Sequence, residues 1–152
     1  MKNACLYEAH VQTTDLEEAI KFYQSIDLVL AYVISDRVAF FWLGESKKKE
    51  QMLGVWQVTS DQFKQSHFAL HLPYAQFMNV PNFLSDKGIH LVPSFGLDTS
   101  EPIVHAWMPA ASYYFEDKDG NSLEYITVLE GEPIPELGAV HLSAWQEANK
   151  KR

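Results

Sequence analysis

The chain has 152 residues, of which 47% are hydrophobic and 21% charged, enough for one domain or two small modules sharing a core, and not a disordered composition. Its net charge of -8 excludes a nucleic-acid partner held by phosphate neutralisation; the Lys47-Lys48-Lys49 run is short, runs into Glu50 and reads as a solvated hairpin loop. Cys5 is the single cysteine, which excludes an intrachain disulfide and thiolate-rich zinc sites, and no apolar run reaches the roughly 20 residues of a membrane span.

Residues 5 to 13 alternate in character and predict a strand. Asp15 then stands three positions before Glu18, where its side chain can take an orphan N–H of a first helical turn. Apolar residues at Leu16, Ala19, Ile20 and Tyr23 have helical spacing. Three short β-rich runs follow, Leu28 to Ile34, Val38 to Leu43 and Met52 to Val58, so the first 58 residues read β-α-β-β-β.

The second half repeats that order. Ser66 to Leu72 predicts a strand, and Tyr74 to Asp86 a helix weakened by Pro81. Strands are expected at His90 to Val92, around His105 to Trp107 or slightly before, at Tyr113 to Phe115 and at Leu123 to Val128. The last two flank Asp117-Lys118-Asp119-Gly120-Asn121, whose residues tolerate the positive φ angles of a tight hairpin turn. Asp27 and Gly88 fall at matching places after the two helices, and both residue types accept the left-handed conformation of a helix C-terminus. The reading is therefore an α+β chain of two tandem βαβββ modules, 4–58 and 66–129, forming a cupped mixed sheet over residues 1–130. Residues 131–152 form a C-terminal extension, with Ser143 placed to cap a short helix through Lys150.

Strand periodicity sorts the polar groups onto faces. Glu8, His10 and Gln12 share one face of the first strand; His67, Ala69 and His71 share one face of the fifth; Glu124 shares its face with Ser122 and Ile126. A lone carboxylate in an apolar strand such as Glu124 is costly to bury unless paired, hydrogen-bonded or bound to a metal. Imidazoles and carboxylates together suit a divalent transition metal, although the wet faces of open strands would carry the same residues. His90, His105 and His141 lie outside these faces and read as structural or surface residues, with His105 beside Trp107 able to rim a pocket.

These residues resemble the vicinal oxygen chelate superfamily, which includes glyoxalase I, bleomycin-resistance, fosfomycin-resistance and extradiol dioxygenase proteins. Glu8-Ala9-His10-Val11-Gln12-Thr13-Thr14-Asp15-Leu16 with Lys21-Phe22-Tyr23 looks like the family's opening motif. His67-Phe68-Ala69-Leu70 looks like its middle motif, and Phe115-Glu116-Asp117-Lys118-Asp119-Gly120-Asn121-Ser122-Leu123-Glu124 like its last. The resemblance covers residues 4 to 130 and implies a divalent metal (Zn, Ni, Mn or Fe) held by Glu8, His67 and Glu124. His10 and Glu8 would act beside or on the metal, and His71, Trp56, Trp107, Tyr113 and Tyr114 would contact the substrate.

Two departures from the family pattern carry weight. Glu8 stands where the family has His or Gln, and Gly54 stands where glyoxalase I enzymes carry an additional acid. The leading expectation is a metal-dependent enzyme, of lyase, isomerase or dioxygenase-like type, acting on a small oxygenated molecule. The alternative is a non-catalytic, bleomycin-resistance-like binder in which Trp42 joins the aromatic pocket and Glu8 and Glu124 meet a cationic ligand. A scaffold with no small-molecule role is the third. A homodimer is the expected assembly, and the cytoplasm the expected location, since the N-terminus lacks an apolar signal segment.

Overall fold

The computed structural model describes residue 2 and residues 4–150. The chain is α+β and divides into two compact units. One runs through Ser66 and includes the turn Asp117–Asn121; the other comprises His67–Glu116 and the residues from Ser122 onward.

The first unit contains β1 (Glu8–Thr13), α1 (Leu16–Ser25), β2 (Val29–Ile34), β3 (Val38–Leu43) and β4 (Gln51–Gln57). Its sheet has the order β1-β4-β3-β2, with β1 parallel to β4 and the other pairs antiparallel. Asp15 caps α1 as expected, its side chain accepting from the Glu18 amide at 3.1 Å. Gln57 ties the end of β4 to the same helix start, accepting from Leu16 N at 2.7 Å and donating to Thr14 O at 2.7 Å. Leu16, Ala19, Phe22 and Tyr23 are buried on one helical face, over Val11, Phe41, Leu53 and Val55 of the sheet. The helix ends with Asp27 at φ 66°, and Leu28 N closes back onto Tyr23 O at 3.1 Å.

The Asp-x-Asp-Gly-Asn turn forms a hydrogen-bonded hub in this unit. Asp117 accepts from the buried Tyr23 hydroxyl (2.7 Å), the Asn121 side-chain amide (2.7 Å) and the backbone amides of Asp119 (3.0 Å) and Asn121 (2.9 Å). Asp119 accepts from the Thr13 hydroxyl (2.6 Å), the Thr14 hydroxyl (2.5 Å) and the Thr14 amide (2.9 Å). Asn121 donates to Gln12 O at 2.9 Å and accepts from Ser66 N at 2.9 Å. Gly120, at φ 87°, supplies the left-handed residue this geometry needs.

The second unit contains β5 (His67–His71), α2 (Tyr74–Phe77), α3 (Val80–Ser85), β6 (Ile103–His105), β7 (Ala110–Glu116), β8 (Ser122–Val128), β9 (Ala139–His141) and α4 (Leu142–Lys150). Its sheet order, β5-β8-β7-β6-β9, repeats that of the first unit and adds β9 at the edge. The parallel pair is again the first strand with the last, β5 with β8. Gly88 follows α3 at φ 69°, with Ile89 N closing onto Leu84 O at 2.9 Å, the counterpart of Asp27 and Leu28. Phe77, Leu84, Val104, Ala111, Phe115 and Leu123 form its core, with Phe77 stacked on Tyr113 at 5.0 Å and Phe115 on Tyr125 at 5.0 Å.

Four sequence expectations need correction. The single helix expected over 74–86 is two short ones, because Pro81 lacks the N–H an interior position requires and instead sits in the first turn of α3. His90 to Val92 form no strand; their tie to the sheet is Val92 N to Tyr114 O at 2.9 Å. Ser143 does not precede α4 but lies in its first turn, and the Glu101 carboxylate accepts from its amide (2.8 Å) and hydroxyl (3.0 Å). The extension also carries β9, three residues too short to register in the sequence pattern.

Burial acts to raise the Asp119 carboxyl, but the Thr13 and Thr14 hydroxyls and the Thr14 amide outweigh it and hold the group below its ordinary 3.8. A carboxylate depressed in the fold contributes stability that is complete above the unfolded value and is lost as pH falls through the folded one. Urea denaturation should therefore show Asp119→Asn less stable than wild type by about 1–2 kcal/mol at neutral pH. The gap should narrow as pH falls below 3.8, and a gap independent of pH would remove this role for the carboxylate.

Candidate functional site

Glu124 is the buried acid of the second unit, 5% exposed in the middle of β8. Register explains its company. It stands opposite Ala69 of β5 and Tyr114 of β7, so its side chain shares a sheet face with His67, Ser112, Tyr114 and Ser122. Ser112 donates its hydroxyl to Oε1, and His67 Nε2 lies 3.2 Å from Oε2. Among the described residues no buried side-chain nitrogen or oxygen lacks a partner, which is how this carboxylate is accommodated.

His67 is held through its other nitrogen, which lies 3.1 Å from the Ser122 carbonyl and 3.2 Å from the Ser122 hydroxyl. With the hydrogen on Nε2, the Ser122 hydroxyl donates to Nδ1 and Nε2–H donates to Glu124. With the hydrogen on Nδ1 and given to the carbonyl, the Nε2 lone pair faces the carboxylate oxygen, and the two electron-rich atoms are held together by a shared proton or by a cation bound to both. Histidine ligands of metals are oriented in this way, by a hydrogen bond from the remote ring nitrogen to a backbone carbonyl.

Behind Glu124 the face is aromatic. Tyr114 shares a 2.6 Å hydrogen bond with His105 Nε2, and burial, with the Glu124 carboxylate next, raises its hydroxyl well above the ordinary phenol range. Burial lowers His105 and keeps its ring neutral, against a smaller opposite pull from Glu124. Phe95 covers His105 edge-on at 4.8 Å although 62% exposed. Its φ of 53° with Gly96 at 76° makes a primed turn closed between Ser94 and Leu97, an uncommon place for a bulky residue.

In the first unit Glu8, His10 and Trp56 form a chain of hydrogen bonds. Trp56 Nε1–H donates to His10 Nδ1 at 2.6 Å, and His10 Nε2 lies 2.5 Å from Glu8 Oε1. An indole N–H can only donate, so Nδ1 is the acceptor and Nε2–H donates to the acid. His10 thus has both nitrogens committed and holds one oxygen of Glu8. Gly54, opposite His10 in the parallel register, makes room for the ring: a Cβ there would meet His10 carbon at 3.1 Å and Nε2 at 3.3 Å.

The remaining residues singled out from sequence are placed as follows. His71 is exposed on the His67 face of β5, opposite Ile126. Trp42 and Trp56 share the His10 face of the first sheet by register. Trp107 is 58% exposed in the turn after β6. Tyr113 points to the other face from Glu124 and is stacked on Phe77 in the core. His105 is buried and hydrogen-bonded beside the acid rather than on the surface. Among the described residues no three His, Cys, Asp or Glu groups converge as a metal cage; the chelating groups occur as the pairs His67–Glu124 and Glu8–His10. Hollows of about 440 Å³ beside His10 and about 700 Å³ beside Trp145 are present, and the larger one contains none of these groups.

Ser112 and Phe95 are not legible in the sequence as site residues, and His105 only as a residue able to rim a pocket beside Trp107. Starting β7 at Ala110 rather than Tyr113 places Ser112 on the Glu124 face by period two, and the short β6 then brings His105 to it. Gly96 is the sole mark of the Phe95 turn.

No protein-family sequence model matches the chain, and no curated protein matches it by sequence. Solved structures do match. An integron cassette protein from the mobile metagenome of a Halifax Harbour sewage outfall superposes with a TM-score of 0.69 at 23% identity, covering 82% of this chain and 98% of its own. Lactoylglutathione lyase from Agrobacterium tumefaciens gives 0.64 at 19% identity (84% and 96%). The fosfomycin resistance protein FosX from Mesorhizobium loti gives 0.58 at 20% (85% and 95%). The chain has the fold of glyoxalase, bleomycin-resistance and dioxygenase proteins, the fold of the vicinal oxygen chelate superfamily.

Two measurements check this geometry. Nitrogen-15 NMR of the metal-free protein should show His10 as the Nε2–H tautomer, with Nδ1 without a hydrogen; an Nδ1–H tautomer in the wild type would dissolve the chain. Ser112→Ala leaves Glu124 short of a buried donor and should lower unfolding stability by about 1–3 kcal/mol.

Proposed function

We propose that this chain is a metal-dependent enzyme of the glyoxalase and dioxygenase kind, of lyase or isomerase type, acting on a small substrate through two neighbouring oxygens. The observation that carries the reading is the orientation of His67, whose Nε2 faces Glu124 Oε2 at 3.2 Å while Ser122 holds Nδ1. An imidazole nitrogen and a carboxylate oxygen so arranged fit a borderline divalent transition ion. The resemblance supplies Glu8 as the third ligand, its Oε2 turned free by the His10 bond to Oε1.

When bound, such an ion supplies Lewis acidity toward the substrate oxygens. The chain's own residues do the rest. Ser112 fixes Glu124 Oε1 so that Oε2 presents to the ligand position. Glu8 is the group proposed to accept a substrate proton, and His10 steadies the carboxylate through Nε2–H. Tyr114, kept as a neutral phenol beside Glu124 and hydrogen-bonded to His105, backs the acid from behind. His71 and Trp56 stand on the two ligand-bearing faces as substrate contacts, and the assembly proposed is a cytoplasmic homodimer. Among the described residues no helix is long and apolar enough to cross a membrane.

The second reading, a binder of aromatic compounds, is favoured by the exposed Phe95 over His105 and Tyr114. Metal analysis separates the two. The enzymatic reading expects one divalent ion per chain, lost in both His67→Ala and Glu124→Ala and at least tenfold weaker in Glu8→Ala. A wild type that takes up no added Zn, Ni, Mn or Fe, while binding a planar aromatic ligand tightly, decides for the binder.

A further inference from the structure

The hollow of about 440 Å³ in the first unit is lined by His10, Gln12, Trp56, Val58, Lys64 and Ser66. Counting the hydrogen-bond capacity still unspent there identifies what it can hold. The Trp56 indole N–H is given to His10, and both His10 nitrogens are committed, so these two rings offer faces and C–H edges. They lie 5.6 Å apart at a shallow 30°, an apolar wall with Val58 beside it. The Gln12 side-chain oxygen Oε1 accepts from Lys64 N at 2.8 Å, which leaves the Gln12 side-chain amide hydrogens. The Ser66 amide is bound to Asn121, which leaves its hydroxyl. No ion pair of the described residues involves the Lys64 ammonium. The remaining capacity is therefore almost wholly that of donors: an ammonium, a primary amide and a hydroxyl. In a chain with 20 acidic and 12 basic residues, the one formally charged side chain lining this hollow is thus the Lys64 ammonium, the opposite of what a cationic ligand needs.

From this accounting we infer that the hollow binds the acid end of a planar, conjugated small carboxylate, with Lys64, Gln12 and Ser66 on the carboxylate and the flat portion against Trp56 and His10. A flat ring system suits the wall because an aromatic face gains from stacking where no hydrogen bond is on offer. A carboxylate suits the rim because its acceptor sites match the donors left there. Glu8 bonds to His10 on this same wall, so the proposed proton acceptor adjoins the substrate's flat portion, away from its acid end. As a statement about a substrate, the inference rests on the enzymatic reading above; as a statement about binding, it needs no metal.

The test is calorimetric titration of metal-free protein with benzoylformate, a planar keto acid, alongside its neutral methyl ester, the saturated cyclohexylglyoxylate and the planar cation benzamidine. Benzoylformate should bind saturably, the ester and the saturated acid at least tenfold more weakly, and benzamidine not at all. Lys64→Gln, a change on an exposed side chain, should weaken benzoylformate about tenfold and leave the ester unchanged. Equal binding of acid and ester, preference for benzamidine, indifference to Lys64→Gln, or no benzoylformate binding would each overturn the assignment. Because the titration contains no metal, its failure leaves the His67–Glu124 reading standing, and a wild type that binds no metal leaves this result untouched.

Discussion

The interaction on which the first unit depends is the saturation of two carboxylates in one five-residue turn. Asp117 has four donors on it, which fills the acceptor capacity of a carboxylate, and one of these is the hydroxyl of the fully buried Tyr23. A buried phenol is tolerable only with such a partner, and burial followed by the Asp117 charge keeps the Tyr23 proton in place far above the ordinary phenol range. Asp119 then holds Thr13 and Thr14, the residues that carry the chain from β1 into α1. The strand bearing Glu8 and His10 is thereby fixed in position at its far end, and Asn121 reinforces it through Gln12 O. The motif that most strongly marks the fold in sequence is thus a hydrogen-bonding hub before it is a hairpin.

The parts of this architecture legible from residues alone are those set by local rules. Asp15, Asp27 and Gly88 declare the helix ends because capping and left-handed φ are properties of a few residue types. Periodicity places Glu8 with His10 and His67 with His71, and the registers keep those faces. What sequence does not carry is register itself. Whether Ser112 or Tyr113 faces Glu124 depends on where β7 begins against β8, and a run of Ala110-Ala111-Ser112 gives no apolar signal to mark it. β9 and the Glu101 cap of α4 are likewise contacts between segments some forty residues apart. Phe95 is invisible for a further reason: its conformation runs against its own propensity and is held by ring contacts with His105 and Tyr114.

The absence of an acid at position 54 and the presence of His10 are one structural feature. The ring occupies the space into which a side chain at 54 would point, and Phe40 closes the other side, 3.2 Å from the same Cβ position. An acid there would crowd the imidazole, which would have to give by a few tenths of an ångström, and with it the bond that orients Glu8. His10, in turn, cannot take over as a ligand while Trp56 and Glu8 hold its two nitrogens. In the proposed site the chelating capacity of the chain accordingly falls to two carboxylates and one imidazole, a harder and more negative set than one built on two histidines. Such a set suits an oxygen-binding ion and lowers its acidity, which shifts the burden of polarising a substrate onto the donors around it. The hollow of the first unit is lined by donors of that kind, Lys64, Gln12 and Ser66.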